Sequence, residues 1–274
     1  QKTAYEIRPR DWSSDVCSSD LHLELGGKAP FIVFADADLD AAARGATAGG
    51  FINAGQDCTA ATRIYVQRSV HDAFLRRLAD HAAAIRIGDP ADPATDLGTL
   101  ISEAQVARVD GFVRRAVAAG ARVVAGGARA TVAGLSSGAF YQPTILADVR
   151  QDAECVQQEI FGPVLVVLPF DTEEEAVALA NDTRYGLAGS VWSRDVHVAM
   201  RVARRLDFGT VWINDHLPLS SDTPHGGFRQ SGFGKDMSAY SFEEYTRVKH
   251  VMVELTGTAE KGWHFQIWGD APAG

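Results

Sequence analysis

Val164-Leu-Val-Val-Leu-Pro-Phe170 is a continuous apolar run, and Gly162-Pro163 forces a turn at its mouth. A strand with one wet face alternates apolar and polar residues. A run without alternation suits a strand buried on both faces, as in a parallel sheet. At seven residues it is too short to cross a bilayer. Downstream, 173–180 reads as a helix, 187–192 as a strand, 196–206 as a helix and 210–213 as a strand. Upstream, 31–34 and 63–67 read as strands. Asp38 caps an alanine-rich helix between them. Val70, Phe74, Leu78 and Ile85 recur on one helical face. Ser102 opens a further helix, with Val106, Val109, Val113 and Val117 on its buried stripe and Gly120 past its end. Residues 121–125 read as a strand, and 248–255 as a final one. This rhythm predicts an α/β fold, a mostly parallel sheet covered by helices. The chain carries no internal repeat.

A chain of 274 residues, 46% hydrophobic and 22% charged, buries enough surface to fold without a disulfide or metal staple. Its formal charge of −9, from 26 basic and 35 acidic residues, argues against a nucleic-acid partner, which asks for a basic face. No membrane association and no signal peptide are expected. Cys17, Cys58 and Cys155 cannot all pair within one chain. An odd, sparse count fits a reducing compartment, so a cytoplasmic protein is expected. Residues 1–21 carry the repeated Ser-Ser-Asp and no periodicity. They read as a foreign segment, such as a translated cloning adapter, and Cys17 receives no role. Residues 257–274 read as a loose tail.

Three short strings carry the chemistry. Cys58 stands in Gly55-Gln-Asp-Cys-Thr-Ala-Ala-Thr62, among small residues. If 59–62 begins a helical turn, the exposed N–H groups lower the thiol's pKa and favour a nucleophilic thiolate. Alone, the residue reads rather as a buried, inert cysteine. Glu24, in Leu23-Glu-Leu-Gly-Gly-Lys28, is flanked by leucines, and partial desolvation raises a carboxylate toward the range of a general base. Gly26 and Gly27 let the backbone turn tightly and let a bound group approach. Glu159 and Phe161, in Gln158-Glu-Ile-Phe-Gly-Pro163, are two apart and point to one side of an extended segment. A carboxylate there can hold a ribose diol, and a ring beside it can pack on a flat heterocycle. Alone, Glu24 and Glu159 read rather as surface carboxylates beside strands.

Taken together and in this order, Glu24-Leu-Gly-Gly-Lys28, Gly55-Gln-Asp-Cys58 and Glu159-Ile-Phe-Gly-Pro163 strongly resemble the NAD(P)-dependent aldehyde dehydrogenase superfamily. Pro143-Thr144, Asn181-Asp-Thr-Arg-Tyr-Gly-Leu187 and Trp212-Ile-Asn214 match as well. Pro224-His-Gly-Gly227, Ser231-Gly-Phe-Gly-Lys-Asp-Met237 and Tyr245-Thr-Arg-Val-Lys-His-Val-Met252 look most like the aminobutyraldehyde and betaine-aldehyde branch. The resemblance implies that Cys58 attacks an aldehyde carbonyl, giving a thiohemiacetal that passes hydride to NAD or NADP. It implies that Glu24 deprotonates the water that hydrolyses the resulting thioester. Glu159 would hold the nicotinamide ribose, Phe161 would pack near the nicotinamide, and Leu25 and Gly26 would line its pocket. The Cys58 N–H would supply one oxyanion donor.

The resemblance breaks off just before His22. It implies a C-terminal, catalytic half with weak cofactor binding: 1–21 outside the family, 22–27 a remnant of the dinucleotide-binding domain and 28–222 the catalytic domain. Residues 223–256 would be a return segment with a strand that joins a neighbouring subunit, and 257–274 a tail. A homo-oligomer acting on a small aldehyde is expected. Asp57 and Asp215 near a tunnel mouth would suit an aldehyde carrying an amine, although Asp57 serves equally as a local backbone acceptor. Trp212, Phe51 and Phe233 are candidates for the tunnel wall. Two other readings stay open: a cofactor-independent cysteine esterase using Cys58 and Glu24, and a non-catalytic oligomerisation module. Gly227-Phe-Arg-Gln-Ser-Gly-Phe-Gly-Lys235 fails as a phosphate loop, because its lysine comes late and Asp236 follows it. The eight histidines show no metal-ligand spacing, so no catalytic metal is expected.

Overall fold

A computed structural model of the chain describes residues 21–257 and 260–268. The expectation of a foreign N-terminal segment falls outside the described residues, apart from Leu21. In chain order the elements are β1 (Leu23–Glu24), β2 (Pro30–Val33), α1 (Leu39–Phe51), β3 (Arg63–Gln67), α2 (His71–Ala83), α3 (Glu103–Ala118), β4 (Arg122–Ala125) and β5 (Thr144–Ala147). They continue with α4 (Glu154–Gln157), β6 (Val164–Phe170), α5 (Glu173–Asn181), β7 (Ala188–Trp192), α6 (Val196–Ala203), β8 (Thr210–Ile213), β9 (Gly232–Phe233) and α7 (Ser238–Glu244).

Seven strands form one sheet in the order β4-β5-β6-β3-β2-β7-β8. All neighbours run parallel except β4 and β5 at one edge. Strand β3 pairs with β2 on one side (Pro30↔Arg63) and with β6 on the other (Arg63↔Val166). The run that suggested a doubly covered strand is β6, and six of its seven residues are buried. Helices α1 and α2 pack on one another and reach the sheet at β2, β3 and β6, while α5 meets β2 and α6 meets β7 and β8. Each fully buried aliphatic side chain contributes about 1.5–3 kcal/mol. An exposed ion pair contributes about 0–1 kcal/mol. The core, rather than the surface arginine–carboxylate pairs, therefore holds the fold.

Local signals account for the element starts. The Asp38 carboxylate accepts from the N–H groups of Asp40 and Ala41, and Ser102 Oγ accepts from Gln105 N at 3.2 Å. Helix α1 turns Ala42, Ala43, Ala46, Gly49 and Gly50 inward, so its backbone lies close to the sheet. In α3 the buried face is Val106, Val109, Phe112, Val113 and Ala116. Val117 falls at the margin of that face in the last turn and is exposed, contrary to the expected stripe. Helix α6 is shorter than expected: it stops at Ala203, where the bonds tighten and Arg205 N donates to Val202 O.

The expected final strand is absent: residues 248–255 join no ladder among the described residues, and Val248, Val251, Met252, Val253 and Leu255 are exposed. A strand needs an edge to pair with, and this segment pairs with none among the described residues. In the stretch expected as a loose tail, Gly262–His264 and Phe265–Trp268 are short helical turns. No described helix is long and apolar enough to cross a membrane.

Candidate active site

Each of the three strings lies just before the first residue of a parallel strand: 24–28 before β2, Cys58 before β3 and 159–163 before β6. They therefore gather at the amino edge of the parallel set. The two-stranded ladder of β1 and β9 carries Glu24 opposite Gly232, and Leu25 N donates to Ser231 O at 3.0 Å. Ser231 Oγ then donates to Gly26 O at 2.7 Å.

The Gly26–Gly27 turn is wedged between the other two strings. Gly27 N donates to Glu159 Oε1 at 2.9 Å. A Cβ on Gly26 would stand 2.1 Å from Glu159 Oε2, and one on Gly27 would stand 2.2 Å from the Cys58 carbonyl oxygen. A side chain at Gly27 would strike the Cys58 backbone and one at Gly26 would displace the Glu159 carboxylate, which is the physical reason for two glycines there. The next residue is pinned as well: Lys28 O accepts from Arg63 Nε at 2.8 Å. The Arg63 guanidinium is fully buried and spends its other nitrogens on Tyr65 Oη and the carbonyls of Leu179 and Ala180. The Lys28 amine is buried without a hydrogen-bond partner among the described residues, and burial lowers its pKa to about 7.

Cys58 is half-buried and a free thiol. It packs on a small apolar cluster of Ala29, Leu187 and Ala188, which Trp212 also covers. The expected helical turn at 59–62 does not form. Asp57 instead builds a tight turn, its Oδ1 accepting from Thr59 N and from Thr59 Oγ1, both at 2.6 Å. Without a helix end to stabilise a thiolate, the shift is opposite to expectation. Burial and then the carboxylates of Asp57 and Glu24 push the thiol up to about 11. Asp57→Asn keeps the acceptor oxygen and removes the charge. Alkylation of Cys58 by iodoacetamide at pH 8 is expected to accelerate about three- to tenfold, since one pKa unit is tenfold in thiolate. An unchanged rate would show that the Asp57 charge does not act on the thiol.

Glu24 is partly exposed, and its carboxyl is raised by burial first and by Asp236 second. Its Oε1 lies 3.4 Å from His225 Nε2. His225 and Asp236 exchange backbone hydrogen bonds at 2.8 and 2.7 Å, which fixes both beside Glu24. The sequence does not single out His225, Lys235, Asp236 or Ser231 as site residues; their strings enter only as branch features and, for the last three, in the rejected phosphate loop.

Glu159 is half-buried and also raised by burial, with the Gly27 N–H acting against that shift. Helix α3 clamps its segment: Arg108 Nη2 donates to Glu159 O at 2.7 Å and Gln105 Nε2 to Phe161 O at 2.7 Å. Phe161 has a left-handed backbone (φ 57) and its ring is partly exposed. A bulky residue in that region is strained and needs such a clamp.

The candidate wall residues separate. Trp212 covers the cluster on which Cys58 packs, and its Nε1 donates to Pro218 O at 2.8 Å. Phe51 lies in the main core at 2% exposure, away from that cluster. Phe233 pairs with Leu23 in the small ladder. Asp215 Oδ1 accepts from His216 N at 2.8 Å. Among the described residues no three His, Cys, Asp or Glu side chains cluster as a metal site would.

The model of the aldehyde dehydrogenase family matches residues 13–251, beginning inside the segment expected to lie outside it. A betaine aldehyde dehydrogenase of Bacillus subtilis is 48% identical over 229 residues, which are 84% of this chain and 47% of that protein. The crystal structure of a Staphylococcus aureus betaine aldehyde dehydrogenase in complex with NAD+ superimposes with a TM-score of 0.80 at 43% identity, over 82% of this chain and 44% of that one. An NAD-dependent aldehyde dehydrogenase from Sinorhizobium meliloti gives a TM-score of 0.82 at 44% identity, over 87% of this chain and 47% of that one. The chain thus spans about half the length of the relatives it matches.

Proposed function

The chain belongs to the aldehyde dehydrogenase family, and from that premise we propose that it carries the catalytic part of an enzyme oxidising an aldehyde to a carboxylic acid with NAD or NADP. The substrate class is an aminoaldehyde, betaine aldehyde among them, by likeness to the betaine aldehyde dehydrogenases. The observation that carries this reading is the bare Gly26–Gly27 turn, with the Cys58 backbone against one glycine and the Glu159 carboxylate against the other. Residues 28–222 form the catalytic domain in this reading.

Cys58 releases its thiol proton to solvent water, Sγ adds to the aldehyde carbon, and the Cys58 N–H faces the oxygen that gains charge. The residues present fit a nicotinamide nucleotide. Glu159 uses one oxygen on Gly27 N, its other oxygen is an acceptor for a ribose hydroxyl, and the partly exposed Phe161 ring lies in the same segment. Leu25 and Gly26 complete that face. The cofactor, when bound, supplies a hydride acceptor for the oxidation of the Cys58 adduct to a thioester. Glu24 takes a proton from the water that attacks this thioester, and its raised carboxyl suits a base working near neutrality.

In this reading the exposed apolar segment 248–255 pairs with the sheet edge of a second copy, giving a homo-oligomer. Cys58 and Cys155 are unpaired, which suits a reducing, cytoplasmic setting. The test mixes the chain with NAD and betaine aldehyde and follows absorbance at 340 nm. Growth that vanishes in Cys58→Ala supports the reading. Turnover of an activated ester by Cys58, with no dependence on NAD and no aldehyde oxidation, replaces it with an esterase.

A further inference from the structure

We infer that His216 is a positioning residue for the nucleophile: its imidazole ties the carbonyl end of the Cys58 turn to the sheet and to the Trp212 ring, and so sets where the sulfur stands. The inference rests on the reading of Cys58 as the nucleophile and adds a group to which that reading gave no role.

Five segments converge on this ring, which is 6% exposed. His216 Nε2 lies 2.9 Å from the Thr59 carbonyl oxygen, one residue past Cys58. Nδ1 lies 3.1 Å from Ser190 Oγ in β7. The ring packs on Trp212 of β8 at 4.7 Å between centroids and on Phe31 of β2 at 5.9 Å. It passes under α1 at Gly49, where a Cβ would stand 2.7 Å from His216 Cδ2. A carbonyl only accepts, so Nε2 carries the proton, and Nδ1 accepts from the Ser190 hydroxyl. Burial pushes the imidazole's pKa down and keeps it in this neutral form; the charged groups facing it are Asp57 and Asp215.

The ring is aimed before it arrives. Asn214 adopts a left-handed backbone (φ 53) as the chain reverses after β8. Its side chain exchanges hydrogen bonds with Ser193, accepting from N and donating to O, both at 2.9 Å. Asp215 then accepts from His216 N. On the other side, Thr59 is held at its N–H by Asp57 and at its C=O by His216. Cys58 is spanned by the first tie and directly precedes the second, on the apolar cluster that the Trp212 ring also covers. Without the imidazole, the Thr59 carbonyl is left buried and unpaired, and the turn is free to carry the sulfur toward water.

The experiment measures iodoacetamide alkylation of the Cys58 peptide by mass spectrometry, on the full chain at pH 8. His216→Leu fills the space without a donor, and His216→Gln returns an amide N–H near the Nε2 position. His216→Leu is expected to react about fivefold faster, the weight of one neutral hydrogen bond, and His216→Gln within about twofold of the parent. Ser190→Ala, which frees the ring to turn, is expected to shift the rate in the same direction by less. A parent rate in His216→Leu, or equal changes in the Leu and Gln variants, overturns the inference. Should His216→Leu not fold by circular dichroism, a parent rate in Ser190→Ala overturns it. Alkylation needs no cofactor, so a failed 340 nm assay leaves this result readable, and a negative result here leaves the aldehyde reading standing.

Discussion

Cys58→Ala is expected to lower turnover by about 10⁶-fold, the scale seen when the nucleophile of a covalent mechanism is removed. Alanine keeps the methylene that rests on Ala29, Leu187 and Ala188, so the turn retains its packing and the loss is chemical. Cys155 cannot substitute: it is 2% exposed and belongs to the main core. The sharpest readout is a pre-steady-state burst with p-nitrophenyl acetate. The parent chain releases about one equivalent of nitrophenolate as the thiol is acylated; Cys58→Ala releases none. An equal burst in the variant would place the nucleophile elsewhere. The raised thiol gives the burst a pH signature. The thiolate fraction climbs about tenfold per unit until the pH nears about 11, so acylation accelerates steadily with pH below that value.

Glu24→Gln has the second-largest expected effect, and it falls on a different step. The burst survives, because the thiol does not need Glu24 to form the acyl-enzyme. The steady-state rate drops by about 10²–10⁴-fold, the range for removal of a general base. A variant that loses the burst as well, with its fold intact, would show that Glu24 acts before acylation. The pH dependence follows from the direction of the shift. The Glu24 carboxyl is raised above the ordinary carboxylate range by burial and by Asp236. As pH falls, the base is therefore protonated earlier than an exposed glutamate, and hydrolysis of the acyl-enzyme fails at a higher pH. Asp236→Asn removes the second cause and is expected to move that acid limb to lower pH. A limb that moves up instead would mean that His225 dominates the environment of Glu24.

The apolar run of β6 announced the sheet because it is buried on both sides and cannot alternate. Asp38 and Ser102 announced their helices because capping is a local bond between a side chain and the next turn. Residues 144–147 give no strand signal of their own, although all four are buried in β5, because Thr144 and Ala147 leave only two large apolar residues in the run. The failure at 59–62 has a clear cause. Thr-Ala-Ala-Thr permits a helical turn, but Asp57 captures the Thr59 N–H and hydroxyl first. The thiol's environment therefore could not be read from its neighbours in sequence.

At the site, Glu24, Cys58 and Glu159 stood out because each lies in a string with glycines that only close backbone contact requires. The groups around Glu24 and Cys58 were illegible for the opposite reason. His225, Asp236 and His216 act through contacts with residues far away in sequence, and no local pattern marks them. His216 is read only when β7, β8, α1 and the Cys58 turn are seen together.

The three strings gather where the parallel strands begin, so the other rim of the sheet carries none of them. Loops 35–37, 171–172 and 193–195 leave the strands there, a strand length of roughly 13–23 Å away at about 3.3 Å per residue. Arg194, whose side chain is 72% exposed, offers a position on that rim for a fluorophore or a surface tether. A molecule immobilised through it would present the Cys58 end of the sheet outward, away from the support.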